Sequence, residues 1–177
     1  MNKRSNRAAD LLSLFAAFHE AGVEYAVVGG VAVNAHGFLR QTRDLDVFIR
    51  PTVENAEAAF QALSKLEAPL EGLVPTDLLC DTEQYQLDTE HARIDILSSI
   101  GEMPFDRVWR NRVETEIDGV PIHLISKEDL IENKRQVGRL IDLADAEQLS
   151  LVPEPKTASE PARSIEAVFV ALHGTKS

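Results

Sequence analysis

Two neighbouring stretches decide how the chain is read: Tyr25-Ala-Val-Val-Gly-Gly-Val-Ala-Val-Asn-Ala-His-Gly37 and Arg40-Gln-Thr-Arg-Asp-Leu-Asp-Val-Phe-Ile49. In the first, a short apolar run ends in a glycine pair, which predicts a buried strand, Tyr25 to Val28, followed by a short helix from Val31 to Phe38. Glycine lets backbone approach a ligand closely. A helix starting there would turn free N–H groups toward an anion. The alternative is a plain strand-to-helix turn. In the second stretch, Leu45 to Ile49 reads as a strand stopped by Pro51. Residues two apart on a strand share a face, so Asp44 and Asp46 point one way and Leu45 and Val47 the other. Two carboxylates that close repel unless a cation lies between them. Divalent ions bridged by such acids form the usual clamp for in-line phosphoryl chemistry. The alternative is a solvent-facing strand with two surface acids.

A third acid stands in Arg93-Ile-Asp-Ile-Leu97. Aspartate is a poor strand residue, and its charge near a core needs a partner. Asp95 therefore either holds a metal or pairs with Arg93.

Working outward, Leu11, Leu14, Phe15 and Phe18 recur at helical spacing, predicting a helix from Arg7 to Ala21 with Gly22 as its stop. Ala56, Ala59, Phe60, Leu63 and Leu66 form another apolar stripe, with Thr52 as its cap. Residues 67–82 read as loop. Tyr85 to Thr89 and Ala92 to Leu97 read as strands, and Pro104 to Arg110 as a short helix. Val113 to Ile117 and Val120 to Leu124 flank Asp118-Gly119, a tight hairpin turn. Ser126-Lys-Glu-Asp129 resembles a capping box, opening a helix to Val137 that Gly138 breaks. A last helix reaches Leu149. Pro153, Pro155 and Pro161 punctuate a linker, and Ser164 to Leu172 is apolar enough to dock, on its own domain or on a second subunit. The expected fold class is α+β: a mixed sheet flanked by helices over residues 1–125, a helical extension over 126–150, and a linker with a docking segment over 151–177.

Of the 177 residues, 44% are apolar and 27% charged, an ordinary globular balance. The net charge is −11, and residues 61–125 carry thirteen acids against five bases. That does not favour a nucleic-acid partner, although a local basic patch can still bind one. Cys80 is the single cysteine, which excludes an internal disulfide and a cysteine zinc cluster. No membrane span or signal peptide is read, so a cytoplasmic protein is expected.

Taken together, Val28 to Gly37 and Arg40 to Asp46 resemble the DNA polymerase β-type nucleotidyltransferase superfamily. The similarity is greatest to bacterial proteins grouped with the abortive-infection toxin and lincosamide nucleotidyltransferases. A second block, Leu130-Ile-Glu-Asn-Lys134, then Gly138-Arg139 and Asp142-Leu-Ala-Asp145, resembles the helical segment of that group. The resemblance spans roughly Val23 to Leu149. It implies that Asp44 and Asp46 bind two divalent ions, magnesium or manganese. It implies that Asp95 binds the ion nearer the acceptor and helps deprotonate its hydroxyl. Gly29 and Gly30 would cradle the triphosphate of an NTP such as ATP. Attack of the hydroxyl on the α-phosphorus would release pyrophosphate.

Arg40 and Arg43 would neutralise phosphate or merely balance the adjacent acids. Thr42 would orient a metal ligand or simply suit a strand start. Lys134 and Arg139 would reach phosphate or pair with nearby acids. His36 is expected to cap or pack. The related pattern carries a basic residue before the position of Asp142; here Ile141 stands there, removing one phosphate contact. The acceptor, whether small molecule, protein or RNA, has no signature. A nucleotide-binding protein with little turnover, or a toxin with an antitoxin partner, is the alternative, and a homodimer is open.

Overall fold

The computed structural model describes residues 3–42, 44–80, 85–88 and 93–153, with side chains described from residue 11 onward apart from that of residue 88. Arg43, residues 154–177 and the docking segment expected at Ser164 to Leu172 lie outside the described residues.

The elements run α1 (Lys3–Glu20), β1 (Tyr25–Val28), α2 (Gly29–Ala35), β2 (Asp44–Ile49), α3 (Val53–Lys65), β3 (Tyr85–Asp88), β4 (Arg93–Leu97), α4 (Phe105–Asn111), β5 (Val113–Ile117), β6 (Val120–Leu124), α5 (Lys127–Val137) and α6 (Leu140–Leu151). The strands form one six-stranded mixed sheet in the order β3-β4-β2-β1-β6-β5. β2 pairs antiparallel with β1 and parallel with β4, and β1 pairs parallel with β6. This is the mixed sheet flanked by helices that the sequence predicts.

Each strand divides its side chains by parity between two apolar layers. Tyr25, Val27, Leu45, Val47, Ile49, Ile94, Ile96, Ile122 and Leu124 face a core shared with α1 and α3. Phe15 stacks on Tyr25 with ring centroids 5.5 Å apart, and Phe18 meets the same ring edge-on. Ala26, Val28, Phe48 and Leu97 face the other layer, where α4, α5 and α6 contribute Phe105, Val108, Leu130 and Leu149. Asp44, Asp46 and Asp95 share the parity of Phe48 and Leu97. They therefore stand on the second face, beside the C-terminal helices.

Local signals place the ends of the elements. The Thr52 hydroxyl accepts the Asn55 N–H and caps α3. Asp118 and Gly119 both take positive φ, 52° and 79°, as a two-residue hairpin turn requires. Ser126 Oγ accepts the Asp129 N–H at 3.2 Å, and Gly138 closes α5 in the left-handed conformation at φ 70°.

Two details differ from expectation. α2 begins at Gly29 itself and ends at Ala35, because Gly37 turns the chain at φ 98°. Within the stretch read as loop, Pro75–Leu79 form a turn of 3₁₀ helix. Proline suits a first helical position, the Asp77 carboxylate accepts the Val74 N–H, and buried Leu78 anchors the turn.

α5 carries Lys134 toward the sheet, so its cap affects both stability and the site. Ser126→Ala is expected to lower unfolding free energy by about 1 kcal/mol. Urea unfolding checks this, and an unchanged midpoint would show that the cap contributes nothing.

Candidate active site

The parallel register of β2 and β4 sets Asp44 against Arg93 and Asp46 against Asp95. Asp44 and Asp46 share one strand face, and Asp95 lies one strand over at the level of Asp46. Three carboxylates thus occupy adjacent rows of one surface. Asp95 is buried, while Asp44 and Asp46 are half-buried. Burial pushes the Asp46 carboxyl up to about 6, with further upward pushes from Asp95 and Asp44. The Lys134 charge and the Gly30 backbone N–H, which donates to the carboxylate, oppose that rise.

The glycine pair is shaped around this cluster. Gly29 has φ 64°, and a Cβ built on it would stand 1.9 Å from Asp46 Oδ2. A Cβ on Gly30 would stand 2.5 Å from Thr42 Oγ1 and 3.3 Å from Arg40 Nη1. A side chain at Gly29 would displace the Asp46 carboxylate, and one at Gly30 the Thr42 hydroxyl. Thr42 Oγ1 also donates to the Asp44 carbonyl at 3.4 Å. The pair therefore gives close backbone approach to Asp46, Thr42 and Arg40, which is more than a plain turn requires.

Among the described residues, Arg40, Lys134 and Arg139 are each tied to an acid on α6. Arg40 forks onto Asp145, with Nε to Oδ1 at 2.7 Å and Nη2 to Oδ2 at 2.8 Å. Lys134 Nζ lies 2.7 Å from Asp142 Oδ1 and 2.9 Å from Asp145 Oδ2. Arg139 Nε donates to Asp142 Oδ2 at 2.6 Å. Burial alone would raise the Asp142 carboxyl, but hydrogen bonds from Arg139 and Lys134 outweigh it and hold it below the usual range. Ile141, the departure from the related pattern, points outward and is about half exposed at 52%. The guanidinium that meets Asp142 is that of Arg139.

Sequence reasoning left three contributors without a role. Asn34 is buried in α2 and grips the Arg40 backbone both ways, accepting its N–H at 2.8 Å and donating to its carbonyl at 2.9 Å. An amide inside an otherwise apolar helix was the available signal. Asp142 and Asp145, three apart on a largely apolar helix, were another. Arg93 places Nε 3.4 Å from Asp95 Oδ1 and 3.9 Å from Asp44 Oδ1, so the ion pair held open as an alternative does form. His36 packs as expected: it caps the end of α2, and its Nε2 donates to the Ile125 carbonyl at 2.8 Å.

Divalent ions suit the chemistry of this donor set, because hard carboxylate oxygens crowd one face and raise the proton affinity of Asp46. Yet the carboxylates do not close a cage. Among the described residues, no group of three His, Cys, Asp or Glu side chains could hold an ion alone.

A family model described as "Nucleotidyl transferase of unknown function (DUF2204)" matches residues 7–159. Among curated proteins, none matches the chain. The chain is similar to several solved structures, two of which follow. The antibiotic-resistance factor ANT(2'')-Ia aligns with a TM-score of 0.52 at 14% identity, over 96% of this chain and 92% of its own. The lincosamide antibiotic adenylyltransferase LnuA, solved with lincomycin bound, aligns with a TM-score of 0.50 at 19% identity, over 86% of this chain and 98% of its own. Among the described residues, no helix is long and apolar enough to cross a membrane.

Two outcomes follow from the crowding. The folded-state value of Asp46, about 6, lies above its ordinary 3.8. The native state therefore holds this proton more tightly, and the Asp46 contribution to stability is full below pH 4 and lost as pH rises to 6. In metal-free buffer, Asp46→Asn should melt higher than wild type at pH 8, with the gap shrinking by pH 4. An equal or lower melting temperature at pH 8 would refute the crowding. Gly29→Ala should lose about 1–3 kcal/mol of unfolding free energy from strain at positive φ. Its denaturation curve overlaying wild type would show that the close approach to Asp46 relaxes freely.

Proposed function

The chain belongs to the DUF2204 family of nucleotidyl transferases, and from that membership we propose that it moves a nucleoside monophosphate from an NTP to an acceptor hydroxyl and releases pyrophosphate. The observation that carries this reading is the alignment of Asp44, Asp46 and Asp95 on one sheet face beside a glycine pair where a side chain would displace Asp46 or Thr42.

Two magnesium or manganese ions, held by Asp44, Asp46 and Asp95 together with phosphate oxygens, would neutralise the triphosphate and make the acceptor hydroxyl more acidic. The chain's own groups do the rest. Gly29 and Gly30 let the β- and γ-phosphates lie against backbone. Arg40, Thr42, Lys134 and Arg139 border the same space and would orient those phosphates, with Arg43 as a further candidate from the same segment. Asp95, the most buried of the three acids, takes the hydroxyl proton. The new bond joins the acceptor oxygen to the α-phosphorus. The bond from that phosphorus to the bridging oxygen breaks, and its electron pair leaves with pyrophosphate. In-line geometry and fixed charge supply most of such catalysis.

The acceptor reading that fits best is a small hydroxylated molecule. LnuA, of the same fold, is an adenylyltransferase acting on a lincosamide antibiotic. The acid excess of this chain, −11 overall, weighs against a long polyanionic acceptor such as RNA. A toxin with an antitoxin partner, or a binding protein with little turnover, would show itself as growth arrest on expression or as nucleotide binding without pyrophosphate release.

Pyrophosphate release with magnesium, each NTP and a panel of hydroxylated acceptors is the direct assay. Asp44→Asn, Asp46→Asn and Asp95→Asn should each lower turnover by at least about 10²-fold with the fold retained by circular dichroism. Wild-type turnover in Asp46→Asn would sink the proposal.

A further inference from the structure

Asp145 is 1% exposed and sits on α6, far along the chain from the glycine pair, yet it fixes two cations beside that pair. Its carboxylate takes the Arg40 guanidinium as a fork and also meets Lys134 Nζ at 2.9 Å. The third guanidinium nitrogen, Nη1, is turned to the Gln41 carbonyl at 3.0 Å and stands 3.3 Å from where a Cβ on Gly30 would be. The Arg40 backbone is itself clamped by Asn34. Arg40 is thus held at both ends, at its main chain by α2 and at its tip by α6. Asp142 differs, because its second cation, Arg139, is 72% exposed at the side chain and reaches into solvent.

We propose that Asp145 is a positioning residue: it touches no ligand, but sets the Arg40 guanidinium and the Lys134 ammonium as one preorganised cationic wall for the phosphates of a nucleoside triphosphate. The inference rests on the nucleotidyl-transfer reading above. Physical argument supports it beyond the contacts. A buried ion pair is a weak source of stability, since desolvation of both charges offsets their attraction. Two buried or partly buried cations tied to one carboxylate are therefore better explained by orientation than by folding. Without Asp145, Arg40 would regain its rotamers, and binding phosphate would have to order it again. An asparagine there could accept one hydrogen bond, but its NH₂ would face another donor.

The test compares wild type, Asp145→Asn and Arg40→Lys. Calorimetry uses each of the four ribonucleoside triphosphates, inorganic tripolyphosphate and adenosine, all with magnesium. Steady-state kinetics follows pyrophosphate release. Asp145→Asn should weaken tripolyphosphate and triphosphate binding and raise KM by roughly 10- to 100-fold, as displaced positioning groups do. Its kcat at saturation should change far less, and the adenosine isotherm should not change. Arg40→Lys keeps the charge and loses the fork, so it should show the same split. Combined with Asp145→Asn it should add little further loss. If Asp145→Asn does not fold, Arg40→Lys decides alone. Wild-type KM and tripolyphosphate affinity in Arg40→Lys, or in a folded Asp145→Asn, would overturn the positioning role while leaving nucleotidyl transfer standing. A wild type that binds no triphosphate would overturn both.

Discussion

Like charges on one surface are the constraint around which this molecule is arranged. The register of β2 and β4 brings Asp46 level with Asp95, and the pleat brings Asp44 to the same side. Such a face is unfavourable unless positive charge or donors surround it. The neighbouring features are answers to that need. Gly29 leaves room for the Asp46 carboxylate, the Gly30 N–H donates to it, Arg93 lies across Asp44 and Asp95, and Lys134 approaches from α5. The opposite face of the same strands is purely apolar and packs on α1 and α3. One side of the sheet secures the strands so that the other can tolerate its charges.

The ion network of α5 and α6 extends this arrangement. Lys134, Asp142 and Asp145 are each nearly excluded from water. Well-packed hydrophobic residues of similar volume would serve folding as well or better. Their presence joins three distant segments, the Arg40 loop, the end of α5 and the start of α6, through short charge-assisted hydrogen bonds. The helical segment after the sheet is consequently bonded to the Arg40 loop and not merely packed beside it.

Much of this was legible in the sequence because local physics decided it. Tyr25–Val28 and the hairpin strands Val113–Ile117 and Val120–Leu124 lie where apolar patterning and Asp118-Gly119 put them. The shared face of Asp44 and Asp46 follows from strand geometry alone. What was not legible depends on pairings between distant segments. No local signal says that β4 lies parallel to β2 in the register that sets Asp95 beside Asp46. Nor does any say that Lys134 and Arg40 share Asp145. The 3₁₀ turn at Pro75–Leu79 was hidden because five residues are too few to show a period. Arg139 was left open between phosphate and a nearby acid, and the local contact with Asp142 three residues on is the one that forms.

Counting charge around the site bears on why divalent ions suit it. Among the described residues, Arg40, Lys134 and Arg139 are opposed by Asp142 and Asp145, which leaves one positive charge in that network. The neighbouring sheet face carries three carboxylates against Arg93. The combined surface is close to neutral and slightly negative, whereas a triphosphate brings about four negative charges at neutral pH. Side chains arranged this way can orient phosphate but cannot by themselves neutralise it. Two divalent cations carry about the charge the ligand introduces, and they relieve the repulsion among the aspartates as they do so. If the proposed nucleotidyl transfer holds, the cationic wall and the acidic face would be complementary halves of one site, the first directing the phosphates and the second retaining the ions that accompany them.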